Sequence, residues 1–155
     1  MIDKFEYYHG AALVRVVDDP RCYSIKKRGQ QGYLVNDAIF VFLKYSTKSR
    51  SPWEFSFDAE DVLHNNLMQE EYGEAFLGLI CGGDGICGLG WSEAKELLGG
   101  QAGRIAAGRK HNRSYSVWGT TGEWKRKISL RRWPALLFEP VTGIEMLGEE
   151  YATSN

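Results

Sequence analysis

Apolar residues first recur at helical spacing. Phe5, Tyr8, Ala12 and Val16, with Leu13 beside them, mark one face of residues 4–17. Asp3 followed three residues later by Glu6 has the form of a capping box, and Asp18-Asp19-Pro20 ends the helix because proline restricts its predecessor. The period then shortens. Cys22–Lys27, Gly32–Asn36 and Ala38–Ser46 read as strands, with turns at Gly29-Gln30-Gln31-Gly32 and Asn36-Asp37. The run from Ala38 to Leu43 is continuously apolar, which predicts a strand covered on both faces, hence central in its sheet. Trp53, Phe55 and Phe57 alternate and predict a further half-buried strand.

Asp58 is placed to cap a second helix running to about Tyr72, with Val62, Leu63, Leu67 and Met68 as its apolar stripe. After Gly73 a hairpin is expected, with arms 76–81 and 86–91 closed by Gly82-Gly83-Asp84-Gly85. Ser92 is the expected cap of a short helix that stops at Gly99-Gly100. The remainder reads as strands over 104–110, 114–118, 124–130 and 134–138, turning at His111-Asn112-Arg113 and Gly119-Thr120-Thr121-Gly122. The predicted fold class is therefore α+β: a mixed central sheet with two main flanking helices, followed by a basic antiparallel β-meander. Residues 1–139 form one globular domain in this scheme, and 140–155 a loose acidic tail.

A chain of 155 residues suffices for a single core. No apolar run reaches the roughly 18 residues that would suggest a membrane span. The opening MIDKFEYY lacks the basic head and apolar centre of an export signal, and the three cysteines are an odd number. Together these predict reduced thiols, a cytoplasmic address and no membrane partner.

The formal net charge of −1 conceals a segregated pattern. Residues 21–50 carry a net +6 and residues 101–132 a net +8, whereas 51–75 carry −7. The two basic segments either neutralise the acidic helix or share a face that receives an anionic partner, and their geometry decides which.

The order helix, three strands, helix, strand over residues 4–90 resembles the core of the PD-(D/E)XK nuclease superfamily. That resemblance implies an Asp and an acid-x-Lys that hold a divalent metal and orient a water. Asp37 and Lys44 stand in the Asp and Lys places, but Phe42 stands where the acid belongs. Glu6 or Glu54 would have to supply the missing carboxylate. Mg²⁺ is the cofactor this chemistry implies, because it takes hard oxygen ligands; otherwise no cofactor is expected. Cys81 and Cys87 lack the close pairing of zinc ligands, and His9, His64 and His111 fall at no supporting spacing, so no metal ligands are assigned. Gly85 and Ile86 stand where the GGDEF turn of diguanylate cyclases has Glu and Phe, which excludes that activity.

The C-terminal part interleaves cations with aromatics, namely Tyr115, Trp118, Trp124 and Trp133. Cations neutralise phosphates and aromatic faces stack on bases. The candidate nucleic-acid contacts are Lys26, Lys27, Arg28 and Lys48 from the first basic segment. From the second they are Arg109, Lys110, Arg113, Lys125, Lys127 and Arg131. On a strand over 124–130, Lys125 and Lys127 would share one face. The leading expectation is a nucleic-acid-associated binding protein on a catalytically degenerate nuclease-like core. The alternative is an interaction module of the immunity or inhibitor type, whose acidic helix 58–72 or acidic tail docks a basic protein. An active Mg²⁺-dependent nuclease ranks third. Oligomeric state is left open.

Overall fold

The computed structural model describes residues 1–139, so the acidic tail expected over 140–155 lies outside the described residues. Thirteen elements follow in order: α1 (Lys4–Asp18), β1 (Ile25–Lys27), β2 (Gly32–Val35), β3 (Ile39–Ser46), β4 (Trp53–Phe57), α2 (Ala59–Tyr72), β5 (Ala75–Cys81), β6 (Gly85–Gly90), α3 (Trp91–Leu98), β7 (Gly103–Gly108), β8 (Ser116–Gly119), β9 (Gly122–Glu123) and α4 (Arg132–Ala135). One sheet has the order β1-β2-β3-β5-β6, with β3 and β5 parallel and every other pair antiparallel. The second sheet has the order β4-β7-β8-β9 and is antiparallel throughout. The fold is α+β with a mixed sheet and an antiparallel one, as the hydrophobic pattern predicts.

The caps explain where the long helices begin. The Asp3 carboxylate accepts from the Glu6 N–H at 2.8 Å, and Asp58 accepts from the Asp61 N–H at the same distance. The turn at Asn36 and Asp37 holds both residues in the left-handed region, with φ of 57° and 56°, as a type I′ hairpin requires. β3 shows why its apolar run from Ile39 to Leu43 is continuous. Phe40 and Phe42 enter one core, packed toward α2, α3 and the second sheet, while Val41 and Leu43 enter another beneath α1 and α4.

Four expectations need correction. Leu63 and Leu67, expected in the apolar stripe of α2, are exposed, and Asn65 joins Val62 and Met68 on the buried face instead; β4, which the sequence assigns to no sheet, pairs with β7 and opens the second sheet. Gly90, not Ser92, is the N-cap of α3; the Ser92 hydroxyl donates to Glu74 at 2.9 Å. Residues 124–130 form no strand. The β8–β9 ladder ends after two pairs; beyond it the Trp124 N–H donates to the Val117 carbonyl at 3.1 Å, and Tyr115 and Ile128 exchange backbone bonds, both at 2.8 Å. Arg126 is instead drawn to Glu93 and lies over the Trp124 ring. Residues 134–138 are not extended either. Trp133, Leu136 and Leu137 are buried at helical spacing, and α4 with its following turn packs them against α1, the Trp133 indole N–H donating to the Ala12 carbonyl.

No helix among the described residues is long and apolar enough to cross a membrane.

Candidate nucleic-acid interface

Three connections meet at one end of the two sheets: the β3–β4 loop (47–52), the β5–β6 turn (82–84) and the β7–β8 loop (109–115). Gly82 (φ 55°) lets the β3–β4 loop lie against the turn: its N–H donates to the Ser46 carbonyl at 2.9 Å, and a Cβ there would strike the Lys48 carbonyl. The Trp53 indole N–H holds that same carbonyl at 2.8 Å. Lys48 is thereby fixed at the edge of the turn.

Asp84 ties the turn to the β7–β8 loop. Its carboxylate accepts from Arg109 Nε at 2.8 Å and Nη2 at 2.7 Å, and from the Tyr115 hydroxyl at 2.8 Å. The guanidinium, and secondarily the phenol, hold Asp84 below the usual carboxylate range. Burial pushes the Tyr115 phenol well above its ordinary value, so it stays a neutral donor. Arg109 Nη1 reaches back to the Arg113 carbonyl at 3.2 Å, which closes the loop on itself. The Arg109 N–H donates to Ser51 Oγ at 2.9 Å. That bond joins the two basic segments of the sequence.

Asp84 pairs with Arg109, but the other cations of these loops have no such partner. Lys48, Arg50, Lys110 and Arg113 are exposed and make no ion pair with a carboxylate among the described residues. A cleft of about 580 Å³ is lined by Arg109, Lys110, Arg113 and Lys127 together with Ser51, Ser114, Ser116 and Trp118; Lys48, whose ammonium donates to the Pro52 carbonyl at 2.9 Å, and Arg50 do not line it. The Lys127 ammonium donates to Ser116 Oγ at 2.7 Å and stands 3.9 Å from Glu123, the one carboxylate in the lining. Trp118 is half-buried and lies across Gly108, where a Cβ would sit 2.9 Å from its Cη2.

The other predicted contacts lie elsewhere. Lys26 pairs with Asp37 at 2.8 Å, and Arg28 with Glu71 at 3.3 Å. Lys27 packs over the Tyr33 and Phe5 rings and donates to the Gln30 carbonyl. Lys125 and Arg131 are exposed but do not line the cleft. Arg126 and Arg132 both pair with Glu93 and act as ties within the fold.

The four candidate catalytic residues do not converge. Asp37 sits in the β2–β3 turn on Lys26, Glu6 closes the α1 capping box, and Glu54 pairs with Arg104 on the outside of the second sheet at 3.6 Å. Lys44 lies five residues along β3 from Ile39, about 17 Å at the usual strand rise, so it stands far from Asp37. The carboxylate that does meet Lys44 is Asp61, at 2.9 Å, with the Phe42 and Phe57 rings beside the ammonium. Among the described residues no group of three or more His, Cys, Asp or Glu side chains is placed to hold a metal ion.

Asp61 and Asp84 went unassigned as functional or organising residues in the sequence. Asp61 carried a signal, three residues after the Asp58 cap. Asp84 was visible only as a turn residue, and Ser51 gave none, since its partner is 58 residues away. The chain matches no protein-family model, no curated protein and no solved structure.

Proposed function

We propose that the protein binds nucleic acid through the basic cleft between the β3–β4 and β7–β8 loops. The observation that carries this is the lining of the cleft, where Lys110, Arg113 and Lys127 surround Trp118, with the β3–β4 loop tied to its rim by the bond from the Arg109 N–H to Ser51 Oγ. Cations clustered without carboxylate partners among the described residues suit a polyanion, and each phosphate they neutralise releases counterions. The acidic segment does not cancel this end. Asp61, Glu71 and Glu54 are paired with Lys44, Arg28 and Arg104.

Fluorescence anisotropy of a labelled oligonucleotide of roughly 16 nucleotides tests the proposal. Affinity should fall at least about tenfold between about 50 mM and about 200 mM salt, and the double reversal Lys110→Glu/Arg113→Glu should weaken binding and flatten that dependence. Binding indifferent to both salt and the double reversal would sink it.

A second reading rests on α2. Leu63 and Leu67 are 61% and 49% exposed one turn apart, with Glu60 and Glu70 exposed nearby. An apolar pair ringed by acids suits a basic protein partner. It predicts a binary complex with such a partner that Leu63→Ser/Leu67→Ser abolishes and Lys110→Glu leaves intact.

A further inference from the structure

Resting on the nucleic-acid reading of the cleft, we infer that its ligand is a single strand, with one unpaired base laid on Trp118 and the flanking phosphates held by Lys110, Arg113 and Lys127. Trp118 is the aromatic in a lining otherwise made of cations, hydroxyls, Gly108 and Glu123. In a duplex every base face is stacked inside the helix, and a recessed indole has no base face to meet. An unpaired base offers that face, and stacking tolerates any base.

Size and chemistry agree with this. A cleft of about 580 Å³ is of small-molecule dimensions. It has room on the order of one or two nucleotides, not for the face of a double helix. Gly108 is what seats the indole, since a side chain there would push the ring away. The Ser114 and Ser116 hydroxyls add hydrogen-bonding groups to the lining, suited to a base edge or a sugar. Lys127 is already oriented by Ser116.

The test compares wild-type protein on labelled oligothymidine, on oligouridine and on a blunt duplex of equal length, by anisotropy and by tryptophan emission. Trp53, Trp91 and Trp133 are buried, so quenching reports on the half-buried Trp118 and Trp124. At least one of the two single strands should bind tenfold or more tighter than the duplex and quench emission. Trp118→Phe should retain binding within about threefold while losing most of the quenching, and Trp118→Ala should lose about tenfold or more. Either sugar satisfies the inference. Duplex binding as tight as both single strands, or quenching unchanged in Trp118→Phe, overturns it while leaving the cleft a nucleic-acid site. Should no form bind, the underlying reading falls as well. The strand-versus-duplex comparison needs no variant, so misfolding of Trp118→Ala would not blunt the test.

Discussion

The Asp84 carboxylate grips both Arg109 Nε and Nη2, at 2.8 and 2.7 Å, across 25 residues of sequence. Both side chains are about four-fifths covered, so the pair is shielded from solvent more than a surface bridge is. Asp84→Asn keeps the shape but removes the charge that Arg109 and Tyr115 address. Thermal or urea unfolding should show a loss of about 2 kcal/mol. Its sign with pH follows from the depressed carboxyl: the contribution is present above the unfolded pKa and is lost as pH falls through the folded one. The Asn variant should therefore lack the part of the acid destabilisation, below about pH 4, that Asp84 supplies.

His9 sets a second pH window. It is 2% exposed, stacks on Phe5 at 3.8 Å between ring centroids and shares a 2.7 Å hydrogen bond with the Tyr33 hydroxyl. Burial first, and the Lys27 charge second, lower its pKa to about 4. The unfolded chain takes up that proton near pH 6.5, so stability is fully present above 6.5 and declines as pH falls toward 4. Denaturant midpoints across this range should drop by up to roughly 3 kcal/mol of stability. His9→Gln should flatten the decline whatever its stability at neutral pH.

These two groups mark how much was legible in the sequence. Period and caps placed α1, α2 and the β2–β3 and β5–β6 hairpins, because those signals are local: Asp3 with Glu6, Asp58 with Asp61, Asn36-Asp37, and Gly82 to Gly85. What failed was set by partners far away in the chain. Lys125 to Leu130 carries strand-like alternation, yet Arg126 is pulled from the ladder by Glu93, 33 residues earlier. Leu136 and Leu137 read as part of a strand over 134–138 until the face of α1 is there to receive them, with Trp133, at helical spacing. Net charge by segment cannot tell Lys26, paired with Asp37, from Lys110, which has no acidic partner among the described residues. The Lys26–Asp37 ion pair and the place of Lys110 in the cleft lining sort them.

Gly78 and Gly88 face each other across the β5–β6 ladder, and Trp133 lies against both. A Cβ at 78 would meet Leu43 Cδ2 at 2.6 Å and Trp133 Cη2 at 3.0 Å. Interiors pack too densely to absorb a methyl there without displacing the indole. Gly78→Ala should cost about 1–3 kcal/mol in urea unfolding. Gly83→Ala, where nothing lies within 4 Å of the new methyl, should leave stability nearly unchanged. Equal effects at the two positions would contradict the packing account.

Cys81 and Cys87 should behave as core residues. Burial pushes the Cys81 thiol up to about 12 and raises Cys87 well above its ordinary value, while Cys22 is half-buried. A thiol reagent at neutral pH should label Cys22 alone in the folded protein and all three cysteines after unfolding. Rapid labelling of Cys87 under native conditions would mean that the β5–β6 hairpin opens easily.

Glu123 is the carboxylate in the cleft, 3.9 Å from Lys127. A phosphate approaching that ammonium must also approach Glu123, so the acid competes with it for the cation and repels it directly. Glu123→Gln keeps the side chain and removes the charge. Oligonucleotide affinity should rise about twofold to fivefold at low salt, the scale of an exposed charge pair, and the gain should fade as salt screens it. Folding should be little affected, because the pair is 3.9 Å apart and Glu123 is exposed. If the variant binds less tightly, Glu123 contacts the ligand itself, as a carboxylate would on accepting from a cytosine amino group.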